Sequence, residues 1–171
     1  MPLLDRHGLK LDEYVRAAST DEAAGASHIL APWDAWATIA PNGDRTFGVE
    51  IPNTVRAAEL QAFLAEVKLI AIAFPGFTDG RGFSLARQLR SEGYSGAIRA
   101  VGPLIPDQLA QLFACGVDEV EISSAHLARQ PIGQWRAASD AISLGYQRGC
   151  AQGANIIEQR RSARQHAKAQ S

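Results

Sequence analysis

The stretch Leu69-Ile70-Ala71-Ile72-Ala73-Phe74-Pro75-Gly76-Phe77-Thr78-Asp79-Gly80-Arg81-Gly82-Phe83-Ser84 decides the fold. Its first six residues are continuously apolar and too few for a core helix, which suits a strand buried on both faces of a parallel sheet. Pro75 and Gly76 stop the strand, and Gly80 and Gly82 open a turn before a new helical pattern. A buried strand, a glycine-rich loop and a helix in that order form one half of a βαβ unit.

The same alternation extends outward. Upstream, Phe47 to Ile51 reads as a strand ending at Pro52. Asn53 or Thr54 can cap a helix, and Leu60, Phe63, Leu64 and Val67 follow at i, i+3, i+4, i+7, an amphipathic stripe. Downstream, a helix over Ser84 to Ser91 buries Leu85 and Leu89 and stops at Gly93. Ala97 to Val101 is the next strand. A third helix starts at Pro106 or Asp107, buries Leu109, Leu112 and Phe113, and ends at Gly116. Val117 to Ile122 is another strand, and a last helix spans Gly133 to Gln147, with Trp135, Ala138, Ile142 and Tyr146 inward. His28 to Pro32 reads as a short strand before Trp33 and Trp36, and Asn42-Gly43-Asp44 as a turn. The expected fold is α/β: a mostly parallel sheet of about four βα units, open or half-barrel-like, in a single domain. A complete eight-fold barrel needs roughly 200 or more residues, and the chain has 171.

Residues 1–27 read as an N-terminal arm, or a short strand or hairpin plus a connector, and 28–147 as the α/β domain. Residues 148–171 form a tail in which Arg148, Arg160, Arg161, Arg164 and Lys168 face one acid, Glu158. That composition suits a solvated helix or a docking segment for an acidic partner.

Composition narrows the function. There are 17 basic and 18 acidic residues, a net charge of −1. No basic footprint for nucleic acid is visible. The longest apolar run, Leu69 to Phe74, is too short to cross a bilayer, and no leader pattern is visible. Two cysteines, Cys115 and Cys150, make no disulfide framework, so the expected compartment is the cytoplasm. Cys115 falls in the last turn of a helix, where the dipole disfavours a thiolate, and reads as a buried structural residue. His7, His28, His126 and His166 are scattered, with no metal-ligand spacing; only His126 lies near a strand-end loop.

Ligands in parallel α/β sheets sit at the carboxyl ends of strands. There the loop Asp79-Gly80-Arg81-Gly82, followed by Ser84, places a guanidinium, two glycines and a helix N-terminus together. This could hold sulfite, sulfate, phosphate or a carboxylate; the plainer reading is a tight turn in which Asp79 caps the helix and pairs with Arg81. Arg99 sits inside an apolar strand and needs a carboxylate or a bound anion. It could share a ligand with Arg81 or pair with Asp79, Asp107 or Glu121. Asp107 and Gln108 lie at the same expected sheet edge, as ligand groups or as caps. The pattern is neither a P-loop nor a dinucleotide fingerprint. No flavin, nicotinamide, haem or iron–sulfur motif is visible, so no cofactor is evident. Trp33 and Trp36, at helical spacing, read as a packing patch or as a surface for homo-oligomer assembly.

The residues Phe74-Pro75-Gly76-Phe77-Thr78-Asp79-Gly80-Arg81-Gly82-Phe83-Ser84, Leu89-Arg90, Gly93-Tyr94, Ile98-Arg99-Ala100-Val101-Gly102, Asp107-Gln108-Leu109 and Cys115-Gly116-Val117-Asp118 resemble the bacterial DUF934 family. The resemblance covers about Ile29 to Ile122 and, more loosely, the final helix. Pro103 stands where the family pattern has an acid, and Phe83 where it has a tyrosine. No carboxylate at 103 or phenol at 83 can therefore act here. The resemblance implies an oxidoreductase-associated or accessory role in assimilatory sulfite reduction, with sulfite reductase as partner. The alternative is a small-anion-binding enzyme or sensor built on the Asp79–Gly82 loop and Arg99.

Overall fold

The computed structural model describes residues 2–39 and 45–141. The turn expected at Asn42–Asp44, the last helix beyond Ala141 and the basic tail with Cys150 and His166 lie outside the described residues.

The elements run β1 (Leu3–Asp5), β2 (Leu9–Lys10), β3 (Val15–Arg16), β4 (His28–Pro32), α1 (Trp36–Ile39), β5 (Thr46–Pro52), α2 (Ala57–Leu60), β6 (Leu69–Ala73), α3 (Arg81–Ser91), β7 (Ala97–Val101), a 3-10 turn (Pro106–Gln108), α4 (Leu109–Ala114), β8 (Glu119–Glu121), α5 (Ser124–Arg129) and α6 (Ile132–Ala141). The eight strands form one sheet in the order β2-β1-β8-β7-β6-β5-β4-β3. From β3 to β8 every pairing is parallel. The hairpin β1–β2 adds to β8 antiparallel. The parallel strands follow chain order without reversal, so the sheet is a half-barrel rather than a doubly wound sheet with a switch point.

Strand alternation explains why the helices share one face. Val49, Ile51, Ile70, Ile72, Ile98, Ala100, Val120 and Ile122 join one core with Leu60, Leu85, Leu89, Leu109, Leu112 and Trp135 from the helical side. The opposite face carries Leu30, Leu69 and Ala71, with Tyr14 packed on them.

Several expectations change. The strand count exceeds four βα units, because residues 3–16 supply three strands to the same sheet. In the N-terminal segment β1 and β2 pair antiparallel, and β1, β2 and β3 are strands of the one sheet. The stripe at Leu60, Phe63 and Val67 is buried, yet helix stops at Leu60. Turns then hold the spacing, with Phe63 N–H donating to Leu60 O and Val67 N–H to Phe63 O. α2 begins after Arg56, not after Asn53 or Thr54. Beyond β8, where His126 was read beside a strand-end loop, the chain forms α5, capped by the Ser123 hydroxyl accepting from His126 N–H. Trp33 and Trp36 stack against Phe63, at 5.8 and 4.4 Å between ring centroids, as a packing patch does. Among the described residues no helix is long and apolar enough to cross a membrane.

Candidate functional site

β6 ends at Ala73, and the Phe74 N–H donates to Val101 O at 2.7 Å, keeping two neighbouring strand ends level. Gly102 is required there. Its φ is +133°, and a Cβ would stand 2.1 Å from Phe74 O. The loop then turns, with Asp79 N–H donating to Gly76 O.

Asp79 and Arg81 bind each other. Arg81 Nε donates to Asp79 Oδ1 at 3.0 Å and Nη2 to Oδ2 at 2.6 Å, while the Arg81 backbone N–H also meets Oδ1. The Arg81 side chain, then its backbone N–H, holds the Asp79 carboxyl well below the usual carboxylate range. The same contact raises Arg81. Two donor positions of the guanidinium are thus committed, and the Arg81 side chain remains 59% exposed. Gly80 precedes α3 with open space around it, whereas a Cβ on Gly82 would stand 2.3 Å from Phe74 Cζ. Gly82 serves helix–strand packing, beside the edge-to-face pair Phe74–Phe83. Ser84 is exposed one helical turn along.

Gln108 joins this loop to the next. Its Nε2 donates to Phe77 O at 2.9 Å, and its Oε1 accepts from Ile105 N–H. Gln108 is therefore a cap that also ties two strand-end loops. Asp107 is exposed in the first turn of the 3-10 segment.

Arg99 stands apart from this group. It lies between Ile98 and Ala100, which face the helices, so it points to the opposite face of the sheet. There it is 1% exposed, with Nε on Glu119 at 2.7 Å and both Nη atoms on Asp12 at 2.9 Å. Glu121 lies 3.7 Å away. Of the carboxylates anticipated from the sequence only Glu121 is near; the main partners are Asp12 and Glu119. Burial works against the charge on Arg99, and its hydrogen bonds with Asp12 and Glu119 outweigh that and raise its pKa. Lys10 pairs with Glu119, and Arg16 with Glu50 and Glu121. Tyr14 lies beneath the guanidinium, 5.7 Å from ring centroid to Arg99 Cζ, its hydroxyl pushed up to about 12, chiefly by burial. These seven charged groups close the concave face with their own partners. A ligand shared by Arg81 and Arg99 has no place in this arrangement.

A groove of about 410 Å³ opens on the helical side, between the segment leading into α2 and the start of α3. Asn53, Arg56, Arg81 and Ser84 line it, with Val55 and Leu85 as an apolar wall. Asn53 is 6% exposed, and its side-chain amide helps keep the Asp79 carboxyl ionised. Asn53 and Arg56 escaped the sequence reading, since an Asn after a strand-ending proline reads as a helix cap. Cys115 is buried as expected, with Arg87 Nη2 at 3.2 Å from its sulfur. His126 packs its ring against the Ser123 hydroxyl. Among the described residues no group of three His, Cys, Asp or Glu is placed to hold a metal ion.

Residues 48–156 match a family described as bacterial protein of unknown function (DUF934). The chain belongs to the DUF934 family. No curated protein matches the sequence. The DUF934 match takes in the Asp79–Ser84 loop, Arg99, Gln108 and the groove residues. It begins after Lys10, Asp12, Tyr14 and Arg16, so the segment that engages Arg99 lies outside it.

Proposed function

We propose that this DUF934 protein is an accessory, oxidoreductase-associated protein of assimilatory sulfite reduction, working in the cytoplasm beside sulfite reductase and handling a small oxyanion without a redox cofactor of its own. The sulfite role rests on the family resemblance. The observation that carries the anion part is the position of Arg81. Its guanidinium is exposed at the carboxyl end of a parallel strand, where such sheets bind ligands, and its aim is fixed by Asp79. The alternative of an anion enzyme or sensor that also uses Arg99 gains nothing from the geometry, because Arg99 is saturated by carboxylates.

The test separates accessory from catalytic roles. Purified chain supplied with a reductant should consume no sulfite. Added to an extract of a strain lacking it, the chain should restore sulfite reduction. Sulfite turnover by the chain alone, or an extract indifferent to its addition, contradicts the proposal.

A further inference from the structure

Residues 9–16 are fastened to the sheet differently from the strands around them. Their backbone pairs only at its two ends, Leu9 and Lys10 with β1 and Val15 and Arg16 with β4. The ladder between β5 and β6, by contrast, runs over five residues of each strand. The aliphatic side chains of the segment, Leu9, Leu11 and Val15, are exposed, Leu11 at 87%. The inward ones are Lys10, Asp12, Tyr14 and Arg16, and only Tyr14 adds apolar packing, on Leu30, Leu69 and Ala71.

Ion pairs supply the remaining hold. Lys10 reaches Glu119 of β8, Arg16 reaches Glu50 of β5 and Glu121 of β8, and Asp12 takes both Nη atoms of Arg99 of β7. Lys10 and Arg16 keep more than a third of their side-chain surface in water. Pairs of this kind part differently from apolar contacts. Each separated ion regains its hydration, so the pair holds with little net free energy. Buried apolar surface regains nothing when it parts and is exposed at full cost. Segments with few buried apolar contacts are the ones that open first in a fold. The flanks, however, are anchored. Leu3 and Leu4 of β1 and Ala17 are buried. Asp5 Oδ1 accepts from the His7 and Gly8 N–H groups at one end, and the Ala17 N–H donates to Leu30 O at the other.

From this we infer that residues 9–16 are a gate over the concave face. The gate opens as a unit between its anchors at the Asp5–Gly8 turn and Ala17 while the rest of the sheet stays folded, and it uncovers Arg99, Glu119 and Glu121, all buried when it is shut. Ionic strength is the signal it answers, because salt screens the half-exposed pairs made by Lys10 and Arg16. The DUF934 match begins at residue 48, so the gate lies outside the matched residues and the groups it covers lie inside them. The gate stands independently of the sulfite role.

The experiment is native-state hydrogen exchange of the full chain, read by NMR at each amide, with urea kept well below the unfolding transition. The hydrogen-bonded amides of residues 9–17 should exchange about a hundredfold or more faster than those of β6, after correction for intrinsic rates. Their exchange should be nearly independent of urea, because a local opening exposes little surface. Raising sodium chloride from about 0.05 M to about 1 M should speed them about threefold or more without speeding β6. Arg16→Gln should speed them about tenfold and flatten the salt dependence. Amides of residues 9–17 that exchange at the rate of β6, with its urea dependence, would show that the segment opens only on global unfolding and overturn the gate. The parent chain alone decides that point, whether or not the variant folds. Fast exchange that is indifferent to salt in the parent would overturn the ion pairs as its latch.

Discussion

Arg16 of β3 donates to Glu121 of β8 at 2.7 Å, although five strand-to-strand steps separate the two strands in the sheet. Along a flat sheet those steps span roughly 24 Å, at about 4.8 Å each. The two side chains meet only because the sheet curls. The chain itself imposes the same limit. β2 and β3 are the two edges of the sheet, and residues 11–14 alone connect them. Lys10 to Val15 can reach no more than about 18 Å, against roughly 34 Å between the edges of a flat eight-stranded sheet. Residues 9–16 therefore strap the open side, and alternation sends Lys10, Asp12, Tyr14 and Arg16 inward. Leu9, Leu11 and Val15 stay exposed.

Arg99 is the centre of this closure. Arg99→Leu should destabilise the protein by about 3–5 kcal/mol, because the largely buried Asp12 would lose the guanidinium that pairs with it and the buried Glu119 would keep only Lys10. Urea denaturation measures it. Replacing Arg99, Asp12 and Glu119 together by apolar residues of similar volume should recover most of that loss. A single variant with unchanged stability would show that the cluster is solvated rather than closed.

Acid should loosen the strap. Burial alone would raise the Asp12 carboxyl, but the Arg99 hydrogen bonds and the Tyr14 N–H, with the nearby positive charges, bring it below its ordinary value. A carboxyl depressed in the folded state adds stability that is fully present above its unfolded pKa of about 3.9. That contribution is lost as pH falls from about 5 through the folded value. Stability measured between pH 7 and pH 3 should therefore fall on the acid side. Asp12→Asn should be less stable at pH 7 and show a flatter decline. An identical slope in the variant would remove Asp12 from the account.

Two glycines of one loop should behave differently. Gly82→Ala forces a methyl against the buried Phe74 ring. The overpacking, typically about 1–3 kcal/mol, should exceed the helix-propensity gain of about 1 kcal/mol. Gly80 has open space and a φ of −84°, so Gly80→Ala should stay within about 0.5 kcal/mol of the parent. Thermal or urea unfolding of the pair decides it. Equal effects would place the glycine requirement outside Phe74 packing.

What could be read from the sequence follows from pattern strength. β6 and β7 are apolar along nearly their whole length and bounded by Pro, Gly or turn residues, so their limits were legible at Leu69 and at Ala97–Val101. The strap was not, because its alternation is inverted. Its polar residues face a charged interior and its leucines face out, which reads in sequence as an unstructured arm. Arg99 was legible as a residue in need of a partner, but Asp12, 87 positions away, carries no local sign of being that partner. Asp79 and Arg81 were legible as neighbours; Asn53 and Arg56 were not, since only the tertiary fold brings the lead into α2 against α3.

The central claim, a role in sulfite reduction, is tested most directly by growth of a deletion strain on sulfate, sulfite or cysteine as sole sulfur source. The account predicts failure on sulfate and sulfite and rescue by cysteine, with complementation by the parent chain but not by Arg81→Ala. Normal growth on all three sources would contradict it.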